Sequence, residues 1–215
     1  DHRDLHSFPT RRSSDLEADF AQTMQTVVEP YLAARRTQAK FKSFDGAEIS
    51  FEAYPADDAV GTVVISHGFT ESAEKFREMS YCFLQMGLNV AAIDHRGHGN
   101  SFRRNPDDPQ TVSVGLFEDY VKDLQTFVTD VVKPMFPDKP LYLYAHSMGG
   151  AVAVQHLQTY PGVFERAVLS APMIMAKMPM PIAAARVPAR SGSSPKASSF
   201  RPQRGSRPMF TVGHQ

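Results

Sequence analysis

The chain has 215 residues, 42% of them hydrophobic, which allows one domain with a real core. Lys and Arg total 23 and Asp and Glu total 23, so the formal net charge is zero and nothing in it points to nucleic acid or an acidic substrate. The single cysteine, Cys82, excludes an intrachain disulfide framework and fits a reducing compartment, and no apolar run reaches membrane-spanning length.

Residues 1–16 have no usable periodicity and read as the translation of a short-read sequencing adapter, so they are set aside as a non-native leader. An N-terminal helix is expected within 17–40: Phe20, Met24, Val27, Val28, Tyr31 and Leu32 recur at helical spacing, with Pro30 as a break or kink. Its mixed charges favour packing on the domain over lying on a membrane. A partial α/β core is expected over 41–175. It opens with a hairpin whose arms, Phe41 to Asp45 and Glu48 to Tyr54, flank Asp45-Gly46. Gly61 to Ser66 is an apolar run of the kind buried on both faces of a parallel sheet. A helix follows from about Ser72 to Met86, stopped by Gly87, and its amphipathic pattern suggests that Cys82 is a buried structural thiol. Leu88 to Ile93 is the next strand. After a polar loop, Leu116 to Val132 carries the clearest helical periodicity, with Pro134 as its end. Arg166 to Pro172 is the last convincing strand. Strand and helix alternate from Gly61 to Pro172, which predicts a mostly parallel sheet with helices on both faces. Residues 176–215 change character, being poor in acids and rich in Arg, Ser and Pro. They read as the start of a cap, as a frame-shifted tail or as a disordered one.

Leu141 to Tyr144 is β-prone, Ala145-His146-Ser147-Met148-Gly149-Gly150 is a turn of small residues around a serine, and Ala151 to Leu157 is helical. Strand, sharp turn and helix are the context of a nucleophile elbow, G-x-S-x-G with Ala in place of the first Gly. The alternative is a serine in an ordinary strand-to-helix turn. If Ser147 is the nucleophile, the Met148 N–H beside it and the Phe69 N–H after His67-Gly68 are candidate oxyanion donors.

These stretches resemble the α/β-hydrolases, and within them the lysophospholipase L2 and monoacylglycerol lipase group of serine hydrolases. The matching pieces are His67-Gly68-Phe69-Thr70-Glu71, the loop Asp94-His95-Arg96-Gly97-His98-Gly99-Asn100-Ser101, the Ser147 turn, and Leu169-Ser170-Ala171-Pro172-Met173. The resemblance implies hydrolysis of a carboxylic ester of a small lipid substrate, a single-chain glycerolipid, with no metal or organic cofactor. It also implies a cap after the last strand, then a triad acid and a triad histidine; a cytoplasmic protein able to make transient contact with a membrane surface is expected. The acidic residue after Ser147 is Glu165, and the later histidines are His156 and His214, none in a suitable position. Asp94, His95 and His98 fall in the family's supporting loop. The triad acid and base are therefore expected to be missing, the cap and final strands with them, and the chain to be an inactive fragment. A general carboxylesterase, a serine peptidase of the same fold and a catalytically inert relative remain as alternatives.

Overall fold

The computed structural model describes residues 19–108 and 111–174. The expectations for residues 1–16 and 176–215 lie outside the described residues.

Six strands form one sheet: β1 (Thr37–Lys42), β2 (Glu48–Tyr54), β3 (Gly61–Ser66), β4 (Leu88–Ile93), β5 (Leu141–His146) and β6 (Arg166–Ser170), in the order β1-β2-β4-β3-β5-β6. β1 and β2 pair antiparallel, as does β2 with β4, while the β4-β3-β5-β6 stretch is parallel throughout. The expected mostly parallel sheet is therefore present, extended by the antiparallel hairpin. β1 begins at Thr37, four residues before the arm expected from Phe41, and Gly46 in the turn takes φ 82°. Among the described residues β6 is an edge strand, and Val168 on it is 60% exposed.

Helices cover both faces. Helix α1 comprises a π-helical turn, Met24–Val28, and the α-helical Glu29–Ala33. α2 begins as the 3-10 turn Ala73–Phe76 and continues as Arg77–Gln85. α3 runs through Phe117–Thr126, the π turn Phe127–Val132 and the short Lys133–Met135, and α4 is Met148–Thr159. Strand residues alternate between two cores, as the pleat requires. Val63, Ile65, Val90 and Ala92 pack under α1 and α2, whereas Val64, Ala91, Ile93, Leu143 and Ala145 pack under α3 and α4.

Three expectations are corrected. Pro30 does not break α1. The turn before it widens so that the Glu29 N–H reaches five residues back to the Met24 carbonyl, and Pro30 enters at the start of the following turn. The same device carries α3 past Pro134: the Lys133 N–H reaches back to Val128, and the helix ends at Met135 rather than Val132. Cys82 is exposed, because the inward stripe of α2 is Phe76, Ser80 and Leu84, and two residues of helix turn Cys82 about 200° from Ser80.

β3 lies between β4 and β5, with α2 following it on one face and α3 leading into β5 on the other. This is where a doubly wound sheet opens a crevice at the carboxyl ends of its strands. The pairing of Ser66 with Ala145 brings the segments after β3 and β5 side by side.

Candidate active site

Ser147 follows β5 and caps α4 with φ 50° and ψ −115°. A non-glycine residue in this region costs on the order of 1–3 kcal/mol and persists only where its surroundings hold it. Four backbone bonds do so. The Ser147 N–H donates to Ser170 O at 3.1 Å, while Ser147 O accepts from Gly150 at 2.9 Å, Met173 at 2.8 Å and Ala151 at 3.4 Å. The close approach also needs glycine: a Cβ at Gly149 would overlap the Ser66 and His67 carbonyl oxygens, and one at Gly150 would lie 2.6 Å from the Pro172 side chain. Ala145, expected to be small, is fully buried beneath the turn.

The segment after β3 meets this turn. A Cβ at Gly68 would sit 3.1 Å from Ser147 Cβ and 3.1 Å from His146 Nδ1. Gly68 and Glu71 close a turn, Glu71 N–H to Gly68 O at 3.3 Å, with Phe69 and Thr70 at its centre. Thr70 has φ 61°, a position where glycine or asparagine is usual. Among the described residues neither the Phe69 N–H nor the Met148 N–H has a hydrogen-bond acceptor. Two unengaged backbone donors thus flank the strained serine, one of them at the N-terminus of α4, where the helix dipole favours negative charge. The Met148 side chain is buried and the Phe69 ring is 44% exposed.

His67 is fully buried, with Nδ1 2.7 Å from Gly68 O and Nε2 accepting the His95 N–H at 2.9 Å. These partners require the neutral ring protonated on Nδ1. Burial pushes its pKa down to about 3, against the opposing pull of the Gly68 carbonyl. His95 Nε2 bonds to Ser66 Oγ at 2.8 Å, and burial likewise holds its pKa well below the usual value. The His98 Nδ1–H faces Arg96 O at 3.1 Å. Asp94 accepts the Ala73 N–H at 2.7 Å and the Asn100 N–H at 3.0 Å, so it ties the loop after β4 to α2. Asp94, His95 and His98 therefore brace this face, as expected of a supporting loop. His156 is buried on α4, where its Nε2 pairs with Gln125 Oε1 at 2.9 Å. No described side chain hydrogen-bonds to the Ser147 hydroxyl.

Sequence reasoning missed Glu71. Its side chain is 7% exposed, accepts the Gly68 N–H at 2.7 Å, lies 3.0 Å from His146 Nδ1 and pairs with Lys75 Nζ. Burial alone would raise its pKa, but Lys75, His146 and the Gly68 N–H together hold the carboxyl below the usual carboxylate range. A glutamate three residues after a loop glycine is a local signal that could have been read as backbone capping.

An open sheet with helices on both faces, and a strained serine between the β5 carboxyl end and the α4 N-terminus, define an α/β-hydrolase. Residues 57–210 match the family described as serine aminopeptidase, S33 (Hydrolase_4), and the chain belongs to that family. It is 40% identical over 147 residues to lysophospholipase L2 of Escherichia coli (strain K12), covering 67% of this chain and 43% of that protein. It is 31% identical over 160 residues to the monoacylglycerol lipase of Mycolicibacterium smegmatis, covering 73% of this chain and 55% of that one. The chain thus spans about half the length of these relatives. Among solved structures, a carboxyl esterase from Bacillus coagulans superposes with a TM-score of 0.55 at 26% identity, covering 63% of this chain and 44% of that one. Among the described residues no helix is long and apolar enough to cross a membrane.

Proposed function

We propose that the whole protein hydrolyses the carboxylic ester of a lysophospholipid or monoacylglycerol, with Ser147 as nucleophile and the Phe69 and Met148 N–H groups as the oxyanion hole. The observation that carries this reading is the strained Ser147 turn flanked by two backbone donors that have no acceptor among the described residues. In the reaction Ser147 Oγ attacks the ester carbon and gives its proton to a base. The carbonyl oxygen takes up the negative charge against the two N–H groups. Collapse of the tetrahedral intermediate expels the protonated alcohol, and water then releases the fatty acid from the acyl-serine. Each donor stabilises charge that exists only in the intermediate, and losing one typically costs roughly 3–4 kcal/mol of barrier.

The base and its acid partner are supplied, in this reading, by residues outside those described. His67, His95 and His156 are each held by a bond elsewhere, and no side chain meets the serine hydroxyl among the described residues. An unassisted hydroxyl is a poor nucleophile, and loss of the histidine in a serine hydrolase of another fold lowers kcat by about 10⁶. Residues 19–174 alone are therefore expected to give negligible turnover and little labelling by a fluorophosphonate. The longer protein should be labelled at Ser147 and lose activity in Ser147→Ala. Assays with monoacylglycerol, lysophosphatidylethanolamine, a short-chain ester and an aminoacyl amide separate the lipase reading from a general esterase or an aminopeptidase. Activity surviving Ser147→Ala overturns the nucleophile assignment.

A further inference from the structure

The loop that carries Phe69 does not hold itself in shape. Its second central residue, Thr70, is β-branched and sits at φ 61°, and its single internal backbone bond is a long one, Glu71 N–H to Gly68 O at 3.3 Å. Left alone, such a turn would relax. Two side chains grip the residue before Phe69 instead. His67 Nδ1–H takes the Gly68 carbonyl, and the Glu71 carboxylate takes the Gly68 N–H. The Gly68 carbonyl and the Phe69 N–H belong to one planar trans peptide and point to opposite sides of it. Fixing the carbonyl on His67 therefore turns the Phe69 N–H away from His67.

Orientation is only half of the requirement; the loop must also sit at the right distance from the serine. Glu71 is the side chain that spans this gap. One carboxylate oxygen binds both the Gly68 N–H and Nδ1 of His146, the residue immediately before Ser147. The other oxygen is held by Lys75 in the first turn of α2. Three elements thus converge on one nearly buried carboxylate, and the space where a Gly68 side chain would lie is bounded by Glu71, His146 and Ser147.

We propose that Glu71 is a positioning residue for ester hydrolysis: by tying the Gly68 amide to His146 it sets the distance between the Phe69 N–H and Ser147. This rests on the reading of Ser147 as nucleophile and Phe69 as oxyanion donor. Glu71 touches no substrate; it acts through the loop. Its loss should therefore spare substrate binding and impair stabilisation of the tetrahedral intermediate.

The test uses the full-length protein carrying this sequence, with the variants Glu71→Ala, Glu71→Gln and Ser147→Ala. Removing one oxyanion donor outright costs about 10²–10³ in kcat, so misplacing one should cost less, about ten- to a hundredfold in Glu71→Ala, with KM within about twofold. Glu71→Gln keeps an oxygen for the Gly68 N–H but loses the charge that binds Lys75, and should fall between Glu71→Ala and wild type. Inhibition by a trifluoromethyl ketone analogue, which forms the tetrahedral adduct on the serine, should weaken by the same factor as kcat/KM across the series. A merely structural role would lower the melting temperature while leaving kcat per folded molecule and the ketone's inhibition constant unchanged, and that result overturns the proposal. If Glu71→Ala does not fold, Glu71→Gln alone decides by the same two readouts. Should Ser147→Ala stay active, the nucleophile reading fails first. If Ser147→Ala is inactive and the Glu71 variants match wild type, the positioning role alone is wrong.

Discussion

Arg96 is the most consequential buried charge outside the site. It leaves the loop after β4 and meets Asp123 on α3 through two bonds of 2.6 Å, Nε to Oδ2 and Nη2 to Oδ1, with Asp123 fully buried and the Arg96 side chain 6% exposed. Asp45 in the hairpin turn takes Nη1 at 3.0 Å but is 39% exposed. Ser43 Oγ donates to Asp123 Oδ1, the oxygen that also takes Arg96 Nη2. Asp123→Ala would leave a buried guanidinium with only the half-exposed Asp45 and the more distant Asp119, 3.8 Å away, and a buried hydroxyl with no partner. Breaking one side of a buried pair costs about 3–5 kcal/mol. Asp45→Ala removes the solvent-screened arm and the bond from the Ala47 N–H to Oδ1, and should cost about 1 kcal/mol. With a urea slope of about 2 kcal/mol/M, Asp123→Ala should lower the unfolding midpoint by about 2 M and Asp45→Ala by about 0.5 M. The double variant Arg96→Met with Asp123→Leu should recover much of the loss, because it leaves no buried charge unpaired. A shift below about 0.5 M for Asp123→Ala, or full additivity in the double variant, would refute the account of Arg96 as a desolvated clamp between the β4 loop and α3.

Two further outcomes follow from burial around Ser147. His67 and His156 are held neutral by burial, with pKa values pushed down to about 3 and about 4, whereas an unfolded histidine takes its proton near 6.5. The unfolded state therefore binds more protons below that pH. Stability is full above about 6.5 and is lost as pH falls toward the folded values, by roughly 2 kcal/mol per histidine at pH 5. Urea midpoints measured from pH 7.5 to 5 should fall, and His156→Gln should flatten part of the slope; a level profile would contradict the buried neutral rings. Gly150→Ala should destabilise the fold by about 1–3 kcal/mol, since its Cβ would lie 2.6 Å from Pro172 Cβ and 2.7 Å from Pro172 Cα. A melting temperature unchanged in Gly150→Ala would mean that the chain after β6 yields easily there.

Much of the fold could be read along the sequence because its signals are local. β3 and β4 are six-residue runs whose every second residue faces the same core, and Ser147 stands between a β-prone run and a small-residue helix start. Proline misled twice for a physical reason: a helix has a second way to accommodate a missing N–H, a widened turn, and residue type alone does not reveal which is used. Cys82 misled because an amphipathic pattern says that one face is buried without fixing the phase at its weakest positions. Glu71 and His146 are 75 residues apart, and they meet because β3 and β5 are neighbours in the sheet. Alternating strands and helices imply a parallel sheet but not its strand order, so this contact had no sequence signature.

Strand order also decides how firmly the serine is held. Three non-glycine residues with positive φ gather here, Thr70 at 61°, Ser147 at 50° and Ala171 at 42°, each costing on the order of 1–3 kcal/mol. None is stabilised by its own segment alone. Ser147 donates to Ser170 at the end of β6 and accepts from Met173 just beyond it, so the strain in the serine turn is borne by the edge strand of the described sheet. β6 is also the least buried strand of the parallel stretch, with its first three residues exposed. Edge segments with few buried contacts open at lower free energy than the central strands they lean on. The core under β3 and β5 can therefore stay intact while the turn at Ser147 relaxes.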